Sequence, residues 1–304
     1  MKLFSLYLLL TLTYTALGFG PVPNRHIATK NLIATQGPSV KSFERANTYL
    51  QRKSRHLTTL QAETEDSEQQ AGFFGNISIN PPYAIAFVSF LTFAFYRSFT
   101  EPDQASMQVL EGFFADPLHP GCNELFATVF NLLGLYFVPI ACLLMPGAKG
   151  QKLPATPFVL GSMLGGYGFL GPYMITRQPS FENVNKSELG WFTANVLENK
   201  IINWGVAALI SSAYVTSGCI SALFSNPSEL FSGYGDLFSQ TAIASASTMD
   251  LLILTLVAAS MIPEDLARRG VKDGLASQAI AASTVLLPVV GAALYCALRP
   301  ELEE

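Results

Sequence analysis

Three polar side chains lie in or beside long apolar stretches, where an ionisable or amide group is costly. Asp250 is the one charged residue in the stretch 237–262. Asn131 lies inside the uncharged stretch 125–148, and Glu124 directly precedes it. A carboxylate within a membrane-spanning helix predicts a proton relay, a cation site or an ion pair with a neighbouring helix.

Each of these residues also has a purely structural interpretation. If its helix begins near Ser247, Asp250 lies in the first turn, where the helix dipole favours an acid. Asn131 would form an interhelical hydrogen bond, the interpretation that we favour. Glu124 and Asn123 would cap the start of their helix. Both interpretations of Asp250 remain open from the sequence.

Other arrangements that carry chemistry are absent from the sequence. His26, His56 and His119 lie outside the apolar stretches, which argues against a haem in a helical bundle. The four cysteines are isolated, without a CxxC pair. Neither a phosphate-binding GxxxxGK[ST] loop nor a GxSxG nucleophile motif occurs. We therefore predict a protein that is not an enzyme and has no cofactor or metal site.

Long gaps between charged residues define the elements that position these side chains. Four of these gaps are 125–148, 153–176, 201–228 and 274–298. Each exceeds the ~20 apolar residues that a membrane-spanning helix needs. The stretches 82–96 and 241–262 are two further candidates. The sequence thus predicts an all-α, polytopic transmembrane helical bundle of five or six spans within 71–304.

Small residues and loop charges predict how the spans pack and point. Gly161 and Gly165 form a small-xxx-small pair that lets another helix approach closely. If six segments cross, the loops 97–123, 177–200 and 263–273 share one side and carry seven basic residues. The opposite side then carries three. The positive-inside rule then places these loops on the cytosol-like side. The two halves of the sequence show no inverted repeat of the kind found in many transporters.

The first 70 residues predict a two-part targeting sequence. Residues 1–18 have the basic start, apolar core and small-residue exit of a signal peptide. Residues 19–70 read as a transit peptide followed by a disordered acidic linker, because 19–60 is basic, rich in Ser and Thr and nearly free of acids. The alternative is an ordinary signal peptide with a basic linker. Residues 71–304 carry 10 basic and 17 acidic residues, which excludes nucleic acid as a partner.

Two resemblances bear on location. The junction Ala16-Leu17-Gly18-Phe19-Gly20-Pro21 resembles the bipartite presequences of algae with complex plastids. A series of motifs resembles a largely uncharacterised family of multi-pass membrane proteins from cyanobacteria and chloroplasts: Asn123-Glu-Leu-Phe, Phe130-Asn-Leu-Leu-Gly134, Pro157-Phe158, Glu198-Asn199-Lys200, Ser247 with Asp250, and Arg299-Pro300. The resemblances imply a plastid membrane, thylakoid or inner envelope, with the endomembrane system as the alternative. They imply no reaction.

Two classes of function follow from these observations. The first is an assembly or stabilising factor, or a structural subunit, of a membrane complex, predicted from the missing catalytic groups and the Gly- and Ser-rich packing faces. The alternative is a small ion or metabolite transporter, predicted from Asp250 and Asn131. The expected partners are the lipid bilayer and other subunits of a membrane complex.

Overall fold

A computed structural model describes residues 78–101, 104–117, 119–271 and 274–303. Within these ranges the chain is all-helical and contains no β-strand, as the sequence predicts. The signal peptide predicted for 1–18 and the transit peptide and linker predicted for 19–70 lie outside the described residues.

The helices of the described ranges are numbered here in chain order. They are α1 Pro81–Thr100, α2 Ala105–Ala115, α3 Glu124–Leu144, α4 Ala155–Thr176, α5 Lys200–Thr216, α6 Cys219–Ser225, α7 Pro227–Gln240, α8 Ala242–Arg268, α9 Gly274–Leu286 and α10 Val290–Leu298. A single turn of π-helix at Thr193–Leu197, called the π-turn below, precedes α5. By length and composition α1, α3, α4 and α8 could cross a membrane, and α5 with α6, bent by 46°, could form a fifth span.

Helix α4 folds back on itself. Its backbone leaves the helical region at Gly165 and Gly166. Gln151 Nε2 donates to the carbonyl of Gln178 at 2.7 Å, and the Gln178 N–H donates to Gln151 Oε1 at 2.8 Å. A straight helix of this length would separate its two ends by about 33 Å. The segment 155–176, called the first hairpin below, therefore begins and ends on one side of the bundle, and the prediction that 153–176 crosses is wrong.

The two predicted packing glycines serve this hairpin. A Cβ on Gly161 would lie 2.6 Å from Cδ1 of Phe169, and a Cβ on Gly165 would meet the same ring. Phe169 belongs to the second arm of the hairpin. The small-xxx-small pair thus lets the two arms of α4 pack closely, rather than admitting another helix.

Helices α9 and α10 form a second hairpin. Its turn is held by Tyr214, whose hydroxyl donates to the carbonyl of Pro288 at 3.2 Å, and Val289 has a φ of +64° there. Arg269, just before α9, donates to the carbonyl of Pro300, just after α10, at 2.6 Å. Both ends of 274–298 therefore lie together, and the prediction that this segment crosses the membrane is also wrong.

The order of elements occurs twice along the chain. Helix α1, the short helix α2, α3 and the first hairpin are followed by α5, the short helices α6 and α7, α8 and the second hairpin. Contacts repeat in the same way, because α1 packs on the first hairpin and α8, while α5 packs on the second hairpin and α3. Each hairpin ends in Tyr-x-x-x-Arg, with Arg177 in the first and Arg299 in the second. The fold is thus a parallel internal repeat, which the search for inverted repeats did not detect.

Both hairpins enter from the same end of the bundle, and this end is basic. Among the described residues it holds eight basic side chains: Lys149, Lys152, Arg177, Lys186, Lys200, Arg268, Arg269 and Arg299. The opposite end of the described bundle holds Arg97. The predicted sharing of one side by loops 97–123 and 177–200 is therefore wrong, because α3 connects the two ends of the bundle and the first hairpin returns to the end at which it enters. The positive-inside rule now favours the basic end on the cytosol-like side.

Candidate functional site

Asp250 lies deep within α8. This helix begins at Ala242, with the Thr241 hydroxyl accepting from the Ala244 N–H at 3.2 Å as its N-terminal cap. Asp250 is therefore about 12 Å along the helix axis from its start, and its side chain is only 7% exposed. The interpretation in which the helix begins near Ser247 and Asp250 lies in its first turn is wrong.

The carboxylate of Asp250 meets the tip of the first hairpin. Its Oδ1 accepts from the backbone N–H of Tyr167 at 2.7 Å. Tyr167 is the first residue after the break at Gly165–Gly166, so its N–H is one of the unpaired donors at a helix start. The positive end of that half-helix faces the acid. Because α8 belongs to the second repeat and the hairpin to the first, this contact lies between the repeats.

Glycine at position 166 is a requirement of this contact. Gly166 has a φ of +51°, a conformation that side chains rarely adopt. A Cβ there would overlap the carboxylate of Asp250. The tip is also anchored on its other side, because the Tyr167 hydroxyl donates to the carbonyl of Tyr83 in α1 at 2.9 Å. The acid and the half-helix are thus held in fixed register.

Proton binding is the chemistry that this environment allows. Among the described residues no basic side chain pairs with Asp250. Its hydrogen-bond partner is an N–H donor, whereas Mg²⁺ and Ca²⁺ need several oxygen ligands. Groups of three or more His, Cys, Asp or Glu that could hold a metal ion do not occur in the described ranges. A buried carboxylate without a base can lose its charge by taking up a proton.

Buried hydroxyls lie on α8 between Asp250 and the end of the bundle opposite the hairpin entrances, called the acidic end below because Glu124, Glu229 and Asp236 lie there. Ser247 lies one turn earlier on α8 and is buried, as is Ser245. Ser245 Oγ accepts from Arg97 Nε at 3.0 Å, at the end opposite the hairpin entrances. Ser245 Oγ lies 3.1 Å from the carbonyls of both Thr241 and Ala242, to which it donates, and within the described residues neither serine hydroxyl forms a hydrogen bond to Asp250.

The other two predicted site residues lie elsewhere. Asn131 donates through Nδ2 to the carbonyl of Pro117 at 3.3 Å, so it holds the loop before α3 rather than a second helix. Glu124 is the exposed first residue of α3. The Asn123 side chain caps this helix by accepting from the N–H groups of Leu125 and Phe126 at 3.0 and 3.2 Å. The structure brings neither Asn131 nor Glu124 to Asp250.

Glu124 lines a cavity of about 740 Å³ at the acidic end of the bundle, together with Glu229, Asp236 and Cys122. Burial, with a smaller contribution from the nearby Glu124 carboxylate, raises the pKa of the Cys122 thiol to about 11. The thiol therefore stays protonated at neutral pH and is a poor nucleophile.

A buried ionic cluster lies at the basic end, and the sequence did not predict it. Its members, called the ionic cluster below, are Arg177, Glu198, Glu264, Asp265, Arg268, Arg269 and Arg299, each with a side chain at most 6% exposed. Glu264 pairs with Arg177 and, at 2.6 Å, with Arg268. Asp265 accepts from Arg269 Nε at 2.9 Å and from Arg299 Nη1 at 3.3 Å. The last arginine of each hairpin thus meets one of two adjacent acids on α8.

The rest of the cluster joins the second hairpin to the π-turn before α5. Glu198 accepts from both terminal nitrogens of Arg269 at 2.9 Å and from Arg299 at 2.8 Å. Tyr295 donates its hydroxyl to Asp265 at 2.7 Å. Burial alone would lower the pKa of Arg269, but the nearby Asp265 charge and the hydrogen bonds to Glu198 and Asp265 together hold that pKa above its ordinary value. Four arginines against three acids leave the cluster with one excess positive charge.

The sequence contained signals for the break in α4 and for the repeat of the two hairpins, although the predictions did not use them. The Gly165-Gly166 pair could have predicted the break in α4, and the repeated Tyr-x-x-x-Arg could have predicted the equivalence of the two hairpins.

No protein-family model, curated protein or solved structure matches this chain. The resemblance to the cyanobacterial and chloroplast family stays a prediction.

Proposed function

We propose that the protein carries protons across its membrane and that Asp250 takes up and releases the proton inside the bundle. The observation that carries this proposal is the contact between the Asp250 carboxylate and the half-helix that begins at Tyr167. Many transporters bind their ions where internal repeats meet, at helices that are broken within the membrane. All three features, the repeat, the broken helix and the buried acid, coincide here.

The charge at Asp250 explains how the site would work. When the carboxylate is ionised, the start of the half-helix compensates its charge. When the carboxyl is protonated, the attraction between charge and dipole is lost and only a neutral hydrogen bond remains, so the tip of the first hairpin is held less tightly to α8.

Reconstituted vesicles test the proposal. The protein is incorporated into liposomes that contain a pH-sensitive dye, and a proton gradient is imposed across their membrane. A potassium ionophore with equal potassium on both sides holds the membrane potential at zero. We expect the wild type to dissipate the gradient and Asp250→Asn to reduce the rate to that of protein-free vesicles, because an amide cannot exchange a proton at this position. Glu111→Gln, an exposed carboxylate on α2, is the matched control and should keep the wild-type rate.

A wild-type rate equal to that of protein-free vesicles would contradict the proposal, as would full activity of Asp250→Asn. The structural-subunit role predicted from the sequence would then be preferred, because the ionic cluster and the packed repeats would remain as features of a scaffold. A plastid membrane stays the predicted location, since the targeting segment lies outside the described residues.

A further inference from the structure

A lateral pocket of about 620 Å³ lies between the repeats near the basic end. Its walls come from α3, the first arm of the first hairpin, the π-turn and α5; the residues used below are Ala141, Val159, Trp191, Phe192, Ile202 and Asn203. Except for a few hydroxyl and amide groups, the lining is apolar. Its volume lies within the ~300–1,000 Å³ typical of small-molecule sites.

The surroundings of the pocket indicate which molecule fills it. Trp191 and Phe192 are 74% and 56% exposed at its rim. Aromatic side chains of this kind lie at the level of lipid headgroups. At its inner wall Asn203 is buried and satisfied, because its Nδ2 donates to the Leu197 carbonyl at 2.9 Å and its Oδ1 accepts from the Cys142 thiol at 3.4 Å. The amide of Asn203 is thus already paired, and apart from the hydroxyls of Thr156 and Thr193 the interior suits an apolar chain.

The charge around the mouth indicates the headgroup. Lys149, Lys152 and Lys186 are exposed in the two loops beside the pocket, against Glu182 and Glu188. Lys149 lines an adjoining cavity that shares Thr156, Gly190 and Thr193 with the lateral pocket. Lys149 is 75% exposed and lies 3.5 Å from Glu188. Behind the inner wall, Arg299 of the ionic cluster donates to the Cys142 carbonyl at 2.8 Å, and that cluster has an excess positive charge. Anionic lipids accumulate at basic surfaces of this kind.

We infer that the lateral pocket binds one acyl chain of an anionic membrane phospholipid, whose headgroup lies against the lysines at the mouth. The lipid would pack against both repeats, since α3 and the first hairpin belong to one and α5 to the other. This site is independent of Asp250 and of proton transfer.

The two tryptophans of the chain, Trp191 and Trp204, allow a direct test. Trp204→Phe leaves the pocket residue Trp191 as the sole tryptophan, and Trp191→Phe leaves Trp204, which does not line the pocket. The full-length protein in detergent is titrated with phosphatidylglycerol that carries brominated acyl chains, which quench tryptophan on contact. We expect quenching of Trp191 to saturate near one lipid per protein and quenching of Trp204 to show no such saturation.

Two further variants connect the quenching to the pocket. Ala141→Phe places a ring in the cavity and should abolish the saturable phase, while Lys149→Ala should weaken phosphatidylglycerol binding about five-fold. Brominated phosphatidylcholine should bind more weakly than phosphatidylglycerol to the unmodified pocket. If Ala141→Phe fails to fold, displacement of the quencher by unbrominated phosphatidylglycerol serves instead. Quenching that rises in proportion to lipid, equally in both single-tryptophan proteins, would overturn the inference.

Discussion

Replacing Asp265 by alanine is expected to destabilise the folded bundle by about 3–5 kcal/mol, the cost of leaving buried charges without their partner. Asp265 lies between Arg269 and Arg299 and also accepts from Tyr295. Its removal leaves two buried guanidinium groups facing each other with Glu198 as their remaining acid. The free energy of unfolding in detergent, from a denaturant titration followed by circular dichroism, measures the effect.

A matched control separates burial from charge. Glu188 forms an exposed ion pair with Lys149, so Glu188→Ala should change the free energy of unfolding by no more than ~1 kcal/mol. Asp265→Asn keeps the size of the side chain and part of its hydrogen bonding, and should fall between the two. Equal destabilisation by Asp265→Ala and Glu188→Ala would show that the ionic cluster does not hold the hairpins to α8.

Gly166→Ala is the second substitution with a large expected effect. The Cβ of the introduced alanine would overlap the Asp250 carboxylate, and alanine rarely adopts the positive φ found at this position. The backbone strain alone costs about 1–3 kcal/mol, and the overlap adds to it. Gly205→Ala, inside α5 with nothing within 4 Å of the added Cβ, should be neutral or stabilising by up to ~1 kcal/mol. Both are measured by the same unfolding titration.

A double-mutant cycle assigns the cost to the contact itself. Asp250→Ala removes the atoms that a Cβ on Gly166 would meet, so Gly166→Ala should cost less in that background. The expected interaction energy is about 0.5–3 kcal/mol, the range for residues in contact. Strictly additive effects would mean that the tip of the first hairpin does not touch Asp250, and the proposed proton site would lose its main support.

The sequence predicted the parts of the structure that depend on local composition. Apolar stretches without charges predicted the helices, and Asp250 was singled out because a lone acid in such a stretch is costly. The cap at Asn123 followed from its position before the apolar run. These predictions needed no knowledge of which segments contact each other.

The two hairpins could not be distinguished from straight spans by composition. An uncharged run of about 24 residues accommodates one helix that crosses the bilayer or two half-helices that enter and return, because both must satisfy their backbone internally. The difference depends on the break at Gly165–Gly166 and on the turn at Val289. The grouping of the loops by side was wrong for the same reason. The missed return of the first hairpin placed 97–123 with 177–200, and the missed return of the second placed Arg299 opposite 263–273.

The ionic cluster was missed because its partners are far apart in sequence. Glu198 and Arg269 lie 71 residues apart, and Arg299 lies 101 residues after Glu198. Each looked like an ordinary loop charge at the end of an apolar run. Only the return of both hairpins to one end of the bundle brings them into a single buried group.

Cysteine labelling of the first hairpin tests the account most directly, because the site at Asp250 exists only if α4 folds back. The four native cysteines are replaced by alanine, and single cysteines are introduced as Lys149→Cys, Glu182→Cys and Glu229→Cys, all at exposed positions. An impermeant maleimide is then added to one face of sealed, uniformly oriented vesicles. The structure predicts that positions 149 and 182 are labelled from the same face and position 229 from the other; labelling of 149 and 182 from opposite faces would make α4 a straight span and contradict the account.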